Sequence, residues 1–274
     1  MKFLGSAAIG IIAIAGMSVV SCSNDDKNGP DGGGNSQGVV VDPSNVFAAG
    51  VPRQVGEMSV ISGSNGLITA MENAVDGVKI TFSYPSMSRA ESYDVVMTVE
   101  DDEDKNVFNL LLNESGFAKY CQQIESDGNV EEWWFEYNTD GQLMKMTRSE
   151  GDNEIHEISY ENGNIVKVSE IHSDHDGDND WRISYGSSML ENKGCIMLFD
   201  ETFGIDMDEM EYAYFAGLLG KATKNLPIER IDLEDGDNGT YTWTLDNNGM
   251  PTKLISVDSG DGWSDEPQII EFKW

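Results

Sequence analysis

Positive charge, histidine and cysteine are all scarce in this 274-residue sequence. Lys and Arg number 17 against 49 Asp and Glu, a formal charge of −32. A phosphate backbone demands cationic cover, so the balance argues against nucleic acid as a partner. It argues equally against attraction to anionic lipid headgroups. There are only three His (His156, His172 and His175), and neither a Gly-x-Ser-x-Gly elbow nor a His-Glu-x-x-His pair is present. Three Cys cannot make a disulfide framework in a chain of this length. What is present is a core: 39% of residues are hydrophobic and 9% aromatic, enough to exclude disorder along the whole chain.

The first 21 residues read as a secretory signal. Lys2 supplies the positive start, and Phe3 to Val20 is apolar or small apart from Ser6 and Ser18. The flanks, basic before and polar after, mark a processing signal rather than a span. The segment ends Val19-Val20-Ser21-Cys22. This resembles the bacterial lipobox, which implies that Cys22 is acylated and becomes the new N-terminus. The acidic Ser23-Asn24-Asp25-Asp26 that follows resembles the surface-export signal of Bacteroidetes lipoproteins. Residues 22–50, with Gly32-Gly33-Gly34, read as a flexible tether. The expected location is the outer membrane, lipid-anchored, at the cell surface or alternatively facing the periplasm. Cys121 and Cys195 are expected as buried free thiols, although export permits a disulfide.

From residue 51 to 274 a single domain is expected. Short apolar-patterned runs alternate with Gly, Asn and Asp clusters, the pattern of antiparallel strands joined by tight turns. Strands are predicted near 56–62, 67–73, 78–84, 92–99, 106–112, 117–125, 130–137, 142–149, 154–160, 164–172 and 180–186. Four more follow near 228–234, 240–246, 250–257 and 268–274. Short connections make sequential strands neighbours. The fold class is therefore mainly all-β: an up-and-down meander of about 14–16 strands forming a curved sheet or soluble barrel. A hairpin unit repeats within it: Phe135 to Met146, Ile158 to Val168, and Trp243 to Leu254 share an apolar-x-apolar run, a turn ending in Gly, and a Lys four residues after that Gly. These hairpins resemble the tyrosine–aspartate repeats of bacterial surface shells, in part. The final Ile270-Glu271-Phe272-Lys273-Trp274 alternates toward an aromatic, as barrel-assembly signals do. The strands, however, are short for a bilayer and carry charge on both faces. Trp274 is expected to pack in the core.

Residues 187–227 interrupt the strands. A helix is predicted over 206–221, capped by Asp206 or Asp208, with Tyr212, Phe215, Leu218 and Leu219 on one apolar face and Gly220 and Pro227 to stop it. That face should cover or plug the sheet. The lipobox, the Gly-turn meander and the stretch Ala216-Gly217-Leu218-Leu219-Gly220-Lys221-Ala222-Thr223-Lys224-Asn225-Leu226-Pro227 together resemble a group of Bacteroidetes lipoproteins of unknown function. The resemblance implies a porin-like antiparallel β-fold and carries no catalytic residue with it.

The acid is not evenly spread. Successive turns of a meander lie at opposite ends of the sheet. Turns at one end hold Asp76, Asp101, Asp102, Glu103, Asp104, Asp127, Glu150, Asp152, Asp174, Asp176, Asp178 and Asp180; turns at the other hold Glu91, Glu114, Asp140 and Glu161. Asp and Asn are good turn formers and charge keeps a sheet soluble, but the asymmetry predicts one acidic rim. Within it, Asp174, Asp176, Asp178 and Asp180 alternate round Gly177 and are the candidate calcium ligands. They depart from the EF-hand loop in lacking a closing Glu. Zinc through His172 and His175 is the weaker expectation, because no further His or Cys lies nearby in sequence. Trp134 and Trp181 are candidate ligand-stacking residues, with Trp133 and Trp134 facing opposite ways. The expected function is that of a cell-envelope lipoprotein whose domain binds or scaffolds rather than catalyses. Its partners would be the membrane, through the lipid on Cys22, and a glycan or an outer-membrane protein. The alternative is a carbohydrate-active hydrolase with paired carboxylates in a sheet cleft.

Overall fold

A computed structural model describes residues 40–85, 93–149, 153–173, 178–234, 236–260 and 266–274. Cys22, Glu91, Glu150, Asp152, Asp174, His175 and Asp176 lie outside these residues. The first eight strands are β1 (Gln54–Val55), β2 (Met58–Ser62), β3 (Ile68–Asn73), β4 (Val78–Ser83), β5 (Val95–Glu100), β6 (Lys105–Leu112), β7 (Ala118–Ile124) and β8 (Val130–Tyr137). Then follow β9 (Leu143–Arg148), β10 (Glu154–Glu161), β11 (Asn164–Ile171), β12 (Asn179–Ser184), β13 (Glu229–Asp232), β14 (Asn238–Leu245), β15 (Pro251–Ser259) and β16 (Gln268–Lys273). Every neighbour in sequence is a neighbour in the sheet, and β1 pairs with β16 to close a barrel. The closing strand β1 has only two residues, too few to leave a period in the sequence. The other fifteen match the predicted runs to within two or three residues at either end.

The barrel is inverted relative to one that spans lipid. Side chains alternate across each strand, and the apolar set points inward. Ile80 and Phe82 of β4, Val95, Met97 and Val99 of β5, and Phe108, Leu110 and Leu112 of β6 are all buried. Their alternates, such as Lys79, Thr81 and Ser83, or Thr240, Thr242 and Thr244 of β14, face water. Hydrocarbon would not tolerate that outer wall, so the barrel is a soluble one.

An empty apolar interior would be untenable, and the interruption fills it. Ile196, Met197, Phe199, Phe203, Ile205, Met207, Met210, Tyr214, Phe215, Leu218 and Leu219 belong to one core cluster with the inward strand residues. Each large apolar side chain so buried contributes about 1.5–3 kcal/mol, which holds the insertion inside the barrel. The helix expected over 206–221 is present in shortened form. α1 (Phe199–Phe203) precedes it, and a 3-10 turn at Asp208–Glu211 runs into α2 (Tyr212–Phe215). Gly217 and Gly220, both at positive φ, then turn the chain. The remainder is irregular, its backbone groups bonding to the barrel's turns instead of to helical neighbours: Leu218 accepts from Ala118 N (2.7 Å), and the amides of Lys221 and Lys224 donate to Gly141 O (2.8 Å) and Gly163 O (2.9 Å). Trp274 packs against the core, its indole N–H on Pro251 O (2.7 Å). Cys121 is buried, Cys195 partly so, and both are free thiols.

The insertion enters through one end of the barrel and reaches toward the other. The end it enters carries the turns 63–67, 113–117, 138–142, 162–163 and 246–250; we call it the lean end. The opposite end carries the turns predicted to form the acidic rim. Residues 200–211 reach that second end, where Glu209 accepts from Asn106 Nδ2 (2.8 Å), at the start of β6. The backbone of Asp200 accepts from Arg230 Nη1 (2.7 Å). The chain leading into β1 also lies at the lean end, with Pro43 against Gly217 and Val40 against Gly116.

Candidate functional site

The acidic mouth is built by register. Inward positions of adjacent strands form rows across the wall. One row runs Trp133, Arg148, Glu154; the next runs Phe135, Met146, His156, Glu170, Asn179. Glu154 and His156 alternate on β10; Glu170 near the end of β11 and His172 just past it follow the same spacing. The hairpin therefore sets two Glu-x-His pairs face to face on one inner surface. Glu154 Oε1 lies 2.5 Å from His156 Nε2, and Glu170 Oε1 lies 2.9 Å from His172 Nε2. Ligand atoms of Glu154, His156 and Glu170 all fall within 4.8 Å of one another. His156 is fully buried, and its Nδ1 has no hydrogen-bond partner among the described residues.

Arg148 sits beside this group, 4% exposed, with its guanidinium 5.0 Å from the Trp133 ring centre. Among the described residues, four carboxylates surround it: Glu131 (2.9 Å), Asp208 (3.0 Å), Asp206 (3.6 Å) and Glu154 (3.8 Å). Burial works to lower its pKa, but Glu131, Asp208 and Glu154 outweigh that and raise it further. The carboxylates divide. Burial raises Glu131 and Glu170 against the pull of nearby cations. Glu154 is also penalised by burial, but the hydrogen bond to His156 and the charges of His156, Arg148 and His172 bring it below the usual range. On the plug's tip, burial followed by neighbouring acid raises Asp200 and Asp206. Burial also raises Glu211 to about 8. A buried carboxyl surrounded by others keeps its proton because the charged form has neither water nor a counter-ion.

A cavity of about 390 Å³ opens beside the cluster, lined by Glu170, Trp181, Asp200, Asp206, Arg230 and Asp258 among others. The expected residues fare differently here. Trp181 lines this cavity, its ring against Gly204. Trp134 is on the outer wall of β8, 40% exposed, 5.9 Å from the Tyr120 ring. Trp133 is buried inside, so the two neighbours do face opposite ways, but Trp134 and Trp181 share no site. Of the calcium candidates, Asp178 accepts from His172 N (2.7 Å) and Asp180 pairs with Lys167 (2.8 Å). Both described members are thus engaged with protein groups. The sequence reading missed that His156 and His172 belong together. It searched for ligands along the chain, whereas the partner lies across the hairpin. The signal was there: Glu154-x-His156 and Glu170-x-His172 are symmetric about the turn.

Fold and site define a class: a sixteen-stranded antiparallel barrel, plugged by its own insertion, with a polar outer wall and one acidic mouth. The chain belongs to the family described as a domain of unknown function (DUF4595) with porin-like fold, which matches residues 61–253. Two solved structures are similar to it. One is a porin-like protein from Bacteroides uniformis, 21% identical, covering 79% of this chain and 88% of that one with a TM-score of 0.62. The other is a porin-like protein from Bacteroides vulgatus, 9% identical, covering 81% of this chain and 98% of that one with a TM-score of 0.55. At these identities the likeness is one of fold. Among curated proteins none matches.

Proposed function

We propose that this is a lipid-anchored protein of the cell envelope that binds at its acidic mouth and serves as a rigid presenting module rather than an enzyme. The observation that carries it is the polarity of the barrel. Residues 40–47 pack at the lean end, with Val40 against Gly116, Pro43 against Gly217 and Phe47 in the core, which supports a tether leaving from that end. The acidic tip of the plug is held at the other end. An anchor acting through Cys22 would leave the mouth free to meet its ligand, and the mouth's charge would repel anionic headgroups. The porin-like relatives from Bacteroides support an envelope setting. Cys22→Ser is the test: the wild-type chain should incorporate labelled palmitate and sediment with outer membranes. The variant should do neither. Sedimentation of the variant with the membrane, without label, would sink the anchor.

A second reading, hydrolysis of a glycan, draws on Trp181 standing beside Asp200 and Asp206 in the mouth cavity. A reducing-sugar screen over soluble polysaccharides would support it by turnover that is lost in Asp200→Asn. No turnover on any of them would count against it.

A further inference from the structure

The mouth holds more buried negative charge than its cations balance. Glu131, Glu154 and Glu170 are the carboxylates held largely out of water round Arg148, His156 and His172, while Asp206 and Asp208 stand half-exposed beside them. With both imidazoles neutral, as metal ligation requires, Arg148 offsets one of these three carboxylates and two negative charges remain uncompensated. Charge drawn out of water is tolerated only when it is paired. At the same place His156, fully buried, leaves Nδ1 without a partner among the described residues. Buried polar atoms nearly always find one, so an orphan beside a charge deficit points to a missing ligand.

We propose that Glu154, His156, Glu170 and His172 form a binding site for one divalent transition-metal ion of the zinc type. The donor set is two imidazoles and two carboxylates. Imidazole nitrogen suits zinc and its first-row neighbours, whereas calcium takes six to eight oxygens and has no use for it. The dimensions fit. Four ligands at about 2.0–2.1 Å from a tetrahedral ion stand about 3.3 Å apart; here the ligand atoms of Glu154, His156 and Glu170 lie within 4.8 Å of one another, and His172 Nε2 reaches this group at Glu170 Oε1, 2.9 Å away. Small side-chain rotations suffice to admit an ion. A second layer exists as well. Arg148 reaches Glu154 Oε2, at 3.8 Å, leaving Oε1 to the His156 side, the kind of outer contact that orients a ligating carboxylate. Glu154, His156 and Glu170 rise from one hairpin, β10 and β11, and His172 directly follows the last residue of β11, so three of the four stand on regular structure. The 390 Å³ cavity that Glu170 lines provides an entry path. A +2 ion would cancel the surplus. The site is independent of the anchor: it needs only the barrel and its plug.

The test uses the mature full chain, metal-stripped, with zinc as the probe in equilibrium dialysis and ¹⁵N-imidazole NMR. One zinc should bind per chain and should persist against a large excess of calcium. The imidazole ¹⁵N signals of His156 and His172 should move, while that of His175 stays. His172→Gln, at a half-exposed position where folding is safe, should weaken binding by more than about a hundredfold, beyond the loss of an outer contact alone. Glu170→Gln should weaken it too, while leaving the far-UV spectrum intact. No saturable zinc binding, movement of His175 instead, displacement by calcium, or full affinity in both variants would each overturn the proposal.

Discussion

The two ends of this barrel are made by the same chain under opposite rules. At the lean end the turns are near copies. Asn113, Asn138 and Asp246 each open a turn that closes on a positive-φ Gly: Gly116, Gly141 or Gly249. Each Oδ1 accepts two backbone amides: those of Ser115 and Phe117, of Asp140 and Gln142, and of Asn248 and Met250. Five hairpins shift register beside their lean-end turns, at Ile61/Ser62, Leu111/Leu112, Glu136/Tyr137, Ser159/Tyr160 and Thr244/Leu245. Such bulges bend and twist a sheet, which a closed barrel needs. The three lysines of the insertion also gather there: Lys193 bonds to Asn248 O, and the amides of Lys221 and Lys224 bond to the turns. The mouth shares the side-chain turn bond at Asn73 and Asp101, but among the described residues no register shift flanks its turns. It collects carboxylates on the turns, on the inner wall and on the plug's tip. One end is built to close and hold; the other holds unbalanced charge on the frame that the first supplies.

If that division is right, protons should matter at the mouth. Glu211 keeps its proton up to about pH 8 because burial, then the charges of Asp200, Glu201 and Asp206, oppose ionisation. Its folded-state pKa lies above the unfolded value near 4.5. Its contribution is therefore complete below about pH 4.5 and is lost as pH rises through about 8. Asp200, Glu201, Asp206 and Glu209 are raised by burial in the same sense. Unfolding free energy should fall on going from pH 5 to pH 9, on the order of 4 kcal/mol from Glu211 alone. Urea titrations across that range should show the fall, and Glu211→Gln should flatten most of it. A flat wild-type profile would mean that the tip is wetter than its burial implies.

Arg148 tests the opposite sign. Removing the guanidinium leaves Glu131 without its cation and takes one from Glu154, which keeps its bond to His156. Breaking a buried pair costs about 3–5 kcal/mol, and the half-exposed Asp206 and Asp208, screened by water, put the expected loss near the lower figure. Arg148→Met should lower the melting temperature by roughly 10 °C, and by less at pH 5, where the orphaned acids can take up protons. At the lean end the corresponding weak point is steric. Gly220 has φ +84°, and an added Cβ would stand 2.7 Å from Gly141 O and 2.7 Å from Tyr137 Cε1. The strained backbone and the contact with a fixed carbonyl together make Gly220→Ala cost about 2 kcal/mol. That loss should not vary with pH, which separates the two ends by measurement.

Much of this was legible because it is periodic. Alternation gave the strands away, and Gly-closed turns gave the hairpins. Counting turns alternately to the two ends placed the acid. The lines that blurred were those set by distance in space. β1 is two residues that pair only because Phe272 and Lys273 arrive beside them. The helix over 206–221 has the right apolar residues, but Leu218, Lys221 and Lys224 owe their hydrogen bonds to lean-end turns rather than to helical neighbours. The Glu-x-His pairs are visible in sequence only to a reader who folds residues 154–172 about Gly163 and matches His156 with Glu170.

The smallest expected effect is the sharpest comparison. Asp101 at the mouth and Asp246 at the lean end do the same local work. Asp101 Oδ1 accepts from Glu103 N (2.8 Å) and Asp104 N (2.7 Å); Asp246 Oδ1 accepts from Asn248 N (2.8 Å) and Met250 N (2.9 Å). Those backbone bonds hold both carboxyls below the usual range. Asn can make the same bonds without the charge, so Asp→Asn isolates the field at each end. Asp101 has Asp102, Glu103 and Asp104 for neighbours, and loss of its charge relieves repulsion. Asp246 lies beside Asn247 and Asn248, with Lys193 bonded to the same turn, and loss of its charge removes an attraction. Asp101→Asn should therefore melt at or slightly above the wild type and Asp246→Asn slightly below, by roughly one or two degrees. Added salt should erase the gap, since both sites are exposed and a Debye length of about 8 Å at physiological ionic strength screens them. Equal shifts in low salt would show that the charge is spread evenly over the barrel and that the mouth is acidic in composition but not in field.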